Sequence, residues 1–191
     1  MNSKTRKLVG IGLFTAIVVV LQLLGGGIKV GSLFSITVVL IPIVVGAAVY
    51  GWQAGAWLGF VFGVTVLLTG DANAFMVVDP LATVLVVLVK GTACGLLSGI
   101  IFLALRRVNT FLAVVVSAIV CPVTNTGIFL IGCNFFFMET VTQWAAQYGY
   151  PDAGAYMIYG LAGINFLVEL GVNIILAPVI VRLISYAKKQ P

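Results

Sequence analysis

A chain of 191 residues that is 62% hydrophobic, only 8% charged and carries a net charge of +5 is not an ordinary water-soluble domain, in which about 25% of residues are charged. The sequence contains no His, the commonest general base and metal ligand. Its basic surplus sits at the ends of apolar runs, where it reads as a topology signal rather than a nucleic-acid surface.

The chain reads as one membrane domain, residues 1–191, built as an all-α bundle of six transmembrane helices. The start, MNSKTRKLVGIGLFTAIVVVLQLLGGG, has the charged head and apolar run of a signal peptide. The run is long enough to span, lacks an A-x-A-like cleavage site and is followed by further spans, so it is read as the first helix, about 6–24. The second covers about 34–50 with Pro42 inside, and a tight turn at Gly51 leads to the third, about 52–69. The stretch GDANAFMVVDP precedes the fourth, about 81–105. The fifth runs over about 111–132 and contains Pro122. A polar and aromatic segment, 133–155, leads to the sixth, about 156–186, which is longer than a span needs. Lys4, Arg6 and Lys7, the pair Arg106 and Arg107, and Arg182, Lys188 and Lys189 then fall on one side, with only Lys29 in a loop opposite. The positive-inside rule makes that side, and both termini, cytoplasmic. The outer loops, 25–33, 70–80 and 133–155, carry Asp71, Asp79, Glu139 and Asp152. Cys94, Cys121 and Cys133 show no metal spacing and read as small apolar packers; no metal or cofactor is called for.

Within the fourth span lies one charge, Lys90, whose insertion costs at least about 2.5–3.5 kcal/mol. It must face a partner, a cavity or a ligand. The sixth span repeats Asn165, Glu169 and Asn173 every fourth residue, a single polar stripe. Asn165 falls at the depth of Lys90, roughly 14 Å at 1.5 Å per residue, and Glu169 one turn deeper. Side chains on these two helices lean outward, so Lys90 and Glu169 can reach one outward-facing cavity. Pro122, Thr124, Asn125, Thr126 and Gly127 read either as a third cavity wall or as a proline kink with internally bonded hydroxyls. Lys90 and Glu169 read either as a ligand site or as a structural ion pair. The aromatics between Phe135 and Tyr159 read as an interfacial belt or, at Gln143, Trp144 and the turn 149–152, as a lid. The candidate binding set is Lys90, Asn125, Asn165, Glu169, Thr124, Trp144 and Asp79. Gly51, Gly55, Gly59 and Gly63, and again Gly91, Gly95 and Gly99, make smooth strips that read as tight helix packing, with sliding as the alternative. Gly12 and Ala16 make a shorter small pair on the first helix.

With these features in place the chain resembles the substrate-binding S component of energy-coupling factor (ECF) vitamin transporters. The resemblance is carried by RKLVGIGLFTAIVVVLQLLG, by IPIVVGAAVYGWQAGAWLGFVFGVTVLL, by VKGTACGLLSGIIFLALRR and by PVTNTGIF. Gly12 and Ala16 stand where the family's first helix usually reads AxxxA. The resemblance implies a protein of the prokaryotic cell membrane, in contact with lipid, that captures a vitamin outside and is not an enzyme. It implies a transmembrane coupling subunit, which the Gly12/Ala16 face would meet, and two ATPase subunits. The chain itself lacks a GxxxxGK[ST] phosphate loop. Metal-transporting relatives use an N-terminal Met-His, whereas residue 2 here is Asn. Pantothenate suits a buried lysine; riboflavin or a folate-like ring suits an aromatic lid. The rivals are a stand-alone secondary transporter or channel, for which no inverted repeat is visible, and an intramembrane enzyme, for which Lys90 is the one plausible base.

Overall fold

The computed structural model describes residues 2–25 and 38–189. All regular structure among them is helical: α1 (Ser3–Gly25), α2 (Leu40–Tyr50), α3 (Trp52–Thr69), α4 (Asn73–Met76), α5 (Pro80–Leu105), α6 (Thr110–Phe136), α7 (Met138–Gln147), α8 (Ala153–Ala155), a π-helical segment (Tyr156–Ala162) and α9 (Gly163–Lys189). Four helices are long and apolar enough to cross a membrane, and a fifth span arises if Ala153–Ala162 and Phe166–Arg182 are joined across their 42° bend. The expected start of the second helix at Phe34, the loop 25–33 beyond Gly25, and Lys29 lie outside the described residues.

The shortest of the long elements is the central one. Eight of the 11 residues of α2 are buried, and α1, α3, α5, α6 and α9 all pack on it. A helix that is apolar on every side has no face to give to water and belongs in a core. Gly51, at φ 99° and ψ 170°, turns the chain directly from α2 into α3.

The two glycine strips turn out to be one seam. A methyl group built at Gly55 would meet the carbonyl of Gly95, one at Gly59 the carbonyl of Gly91, and one at Gly63 the carbonyl of Val87. The reverse clashes hold from Gly91 and Gly95. Partners rise on one helix as they fall on the other, so α3 and α5 run antiparallel with their backbones almost touching. Lacking a hydrophobic driving force in lipid, helices gain attraction through such close approach. Gly51 is part of the turn rather than of this seam.

Helix starts follow local chemistry. Asp79 caps α5, accepting from the Ala82 N–H at 3.0 Å with Pro80 behind it. Asn109 caps α6, accepting from Phe111 and Leu112. Such caps satisfy amides that no helical carbonyl reaches.

Three sequence expectations shift. The fifth helix does not stop at Gly132 but runs on to Phe136, because Gly132 serves to admit the Val86 side chain from α5. Cys133 is therefore helical, and all three cysteines are buried. The segment 133–155 is largely helix: α7 turns Val141 and Ala145 inward and packs with Phe137 and Tyr156 as a plug at one end of the bundle. The sixth helix is not continuous. Gly163, at φ 39° and ψ −144°, adopts a backbone that side-chain-bearing residues avoid and ends the π-helical segment there.

Candidate functional site

Beside the plug lies a cavity of about 190 Å³ inside the bundle, with Phe137 of the plug in its wall. Each wall is set by a helix already described. Lys90 projects from α5 immediately before Gly91, between the seam contacts at Val87 and Gly91; the glycine seam holds that helix, and with it the lysine, at fixed height. Its ammonium lies over the face of Phe129 on α6, 5.0 Å from the ring centroid. A cation over a ring face is attracted by the π-quadrupole, by about 0.5–2 kcal/mol depending on hydration. Glu169 and, more weakly, Asp71 also attract the ammonium electrostatically.

Glu169 enters from α9, is buried, and lines the same cavity. One turn below it, Asn173 is fully buried and donates from Nδ2 to the Glu169 backbone carbonyl at 2.8 Å. The polar stripe thus has a cavity-facing member and a structural one. Asn165 is placed on α9 by its backbone, and its side chain lies outside the described set.

Asn125 lines the cavity and is buried. Thr124 does not line it. One residue on a helix turns about 100°, so the wall takes Asn125, Thr126 and Phe129, and Thr124 points elsewhere. α6 continues as a helix through Pro122.

Asp79 and Trp144 are likewise outside the cavity lining. Asp79 is committed to capping α5. Trp144, on α7, packs edge-on against Phe75 with ring centroids 5.2 Å apart, and Phe75 in turn meets Phe129 at 5.5 Å and Phe137 at 5.0 Å. The tryptophan therefore backs the aromatic wall instead of forming it. The expected belt and lid divide the aromatic segment between them: Phe135, Phe136, Tyr148 and Tyr159 are exposed, while Phe137 and Tyr156 are buried in the plug.

Several wall residues escaped the sequence reading, among them Phe129, Thr83 and the hydrogen-bonded pair of Gln22 and Asp71. Gln22 near the end of α1 donates from Nε2 to Asp71 Oδ2 at 2.6 Å, and Thr69 donates to the same oxygen at 3.1 Å. Gln22 is buried, and both it and Asp71 line the cavity. The available signal was the lone amide within an otherwise apolar first span. The site thus assembles one ammonium, two carboxylates, two amides and an aromatic wall within the bundle.

Apolar helices around a small charged cavity define a multi-pass membrane protein with an internal pocket. Residues 6–181 match the model of the family described as "ECF transporter, substrate-specific component", and the chain belongs to that family. The chain is also similar to the solved structure of ThiT from Listeria monocytogenes, with a TM-score of 0.69, 20% sequence identity and 98% of each chain covered, a likeness of fold. No curated protein matches the chain.

Proposed function

We propose that the chain is the substrate-binding subunit of an ECF-type importer and takes up a water-soluble vitamin or related micronutrient through the cavity described above. The observation that carries this reading is a set of charged and amide side chains, Asp71, Lys90, Glu169, Gln22 and Asn125, gathered around about 190 Å³ of space inside an apolar bundle. Ionisable groups within apolar spans, here Lys90 and Glu169, are expensive unless they serve a partner or a ligand. Six spans with both termini cytoplasmic place the plug of α7 and the segment 70–80 outside, so the ligand enters beneath them. The single domain 1–191 then works with a transmembrane coupling subunit and two ATPase subunits, and the Gly12/Ala16 face of α1 meets the coupling subunit. That face is exposed, and nothing stands within 4 Å of a methyl built at Gly12.

The charges of the wall also bear on the ligand. One ammonium and two carboxylates leave the lining at −1, so a folate-like dianion would meet net repulsion, whereas a zwitterion or a neutral ring system would not. Pantothenate would fit if its carboxylate displaced Glu169 as the partner of Lys90. Lys90, Glu169 and Asn125 are the proposed direct contacts, joined by Gln22, Asp71 and Phe129; Asn165, one turn before Glu169 on the polar stripe, is kept in the proposed set. Thr124, Asp79 and Trp144 act at most through their neighbours.

Native mass spectrometry of the purified protein with an equimolar mixture of water-soluble vitamins tests this. One vitamin retained by the wild type and lost in Lys90→Met is the expected result. Retention of none, together with substrate accumulation in vesicles holding this chain alone, would favour the stand-alone transporter instead.

A further inference from the structure

A second recess lies on the flank of the bundle. It holds about 720 Å³ between α6 and the broken helix. One wall is Val123, Gly127 and Leu130; the other is Ile158, Tyr159 and Leu167. Among the described residues its side-chain polar groups are the hydroxyls of Thr126 and Tyr159. Both walls belong to segments that qualify as membrane-spanning, so what covers the opening is the hydrocarbon of the bilayer. The recess exists because the chain is hollow there. Gly127 has open space where a side chain would stand, and so has Gly163, whose backbone breaks the helix opposite. Thr126, Ala162 and Phe166 line this recess and the charged cavity alike, so a partition one side chain thick separates the two.

We propose that this crevice binds one acyl chain of a membrane glycerophospholipid, which forms the outer wall of the ligand cavity. An empty apolar recess between spans forfeits dispersion contacts that a flexible hydrocarbon chain supplies. Each methylene moved from water into such a site contributes about 0.8 kcal/mol, but from lipid the gain is smaller, so selectivity rests on shape. Tyr159, 72% exposed, stands toward the aromatic end of the crevice, where its hydroxyl can donate to a glycerol ester carbonyl. The headgroup therefore lies at the α7 end and the chain runs down past Gly127. Through Phe166 the chain and the vitamin share a wall, so seating the chain holds Phe166 against the cavity.

The test uses the full chain in nanodiscs doped with phosphatidylglycerol bearing a diazirine at mid-chain. Illumination of the wild type should concentrate label in peptides covering 123–130 and 158–167, above that on the exposed apolar face of α1 at Leu8, Val9 and Leu13. Gly127→Phe and, from a neighbouring position on the same helix, Val123→Trp should each fill the recess and lower crevice labelling by about tenfold, equivalent to about 1.4 kcal/mol. Label spread evenly over α1 and the crevice, or unchanged labelling in both variants, would overturn the proposal. So would a cross-link between two copies of the chain at these residues, or displacement of the label by a bound vitamin. The wild-type labelling pattern is decisive even if a variant fails to fold, and it does not depend on which vitamin the cavity takes.

Discussion

Lys90 concentrates the energetics of the site at a single residue, because its ammonium must be repaid for leaving water. If it holds a ligand carboxylate, Lys90→Met strands that carboxylate, and breaking a buried pair costs about 3–5 kcal/mol, roughly 200- to 4000-fold in affinity. If Glu169 is its main partner, Lys90→Met and Glu169→Gln each destabilise the protein, and the double variant restores stability with binding largely intact. Thermal unfolding and vitamin titration on the two singles and the double decide between these outcomes. A separate expectation concerns Asp71, held by Gln22 and Thr69. Gln22→Leu removes a donor from the carboxylate of Asp71, which water also reaches, and we expect a loss of about 0.5–1.5 kcal/mol in stability, the range for one net hydrogen bond. If instead Gln22→Leu leaves both stability and vitamin affinity unchanged, Asp71 is solvated in the free protein and the amide is dispensable.

At the scale of the element, the antiparallel glycine seam between α3 and α5 makes a sharp prediction. A methyl group at Gly59 or Gly91 collides with a backbone carbonyl, which cannot move aside as a flexible side chain would. Gly59→Ala and Gly91→Ala should each destabilise by about 1–3 kcal/mol, the range for overpacking a tight contact. Gly12→Ala, in open space, should be neutral or slightly stabilising by helix propensity. Unfolding curves in one detergent compare the three; equal stability for all would mean that the seam relaxes freely. The same seam sets Lys90 in place, so the two destabilised variants should also lose vitamin affinity.

On the proposed function the whole molecule presents two faces with different tasks. The outward face of α1, with Leu8, Val9, Leu13, Val20 and Leu23 exposed, is covered by none of the described residues. Gly12→Trp or Ala16→Trp should abolish co-purification with the energising module while vitamin binding survives, because a bulky side chain holds helix backbones apart. Intact co-purification of both variants would place the docking surface elsewhere. The plug formed by α7 and the segment 70–80 should gain hydrogen-exchange protection when a vitamin binds, as expected of a closing element drawn from the less stable part of a fold. Protection appearing at Arg106 to Thr110 instead would reverse the orientation of the site.

Composition, the spacing of apolar runs and the lone charge at Lys90 were enough to establish a helical membrane protein with a polar interior, since a bilayer admits few backbones and few ions. The four-residue glycine spacing announced a packing seam, and the periodicity of Asn165, Glu169 and Asn173 announced a stripe. What the linear chain could not show was which elements face one another. The pairing of Gly59 with Gly91 and of Gln22 with Asp71, and the retreat of Trp144 behind Phe75, all depend on contacts between residues distant in sequence, whereas the service of Asp79 as a cap is local, three residues from Ala82. The break at Gly163 was likewise not legible: the apolar run read as one helix over about 156–186, and only the folded backbone, at φ 39° and ψ −144°, shows where it is interrupted.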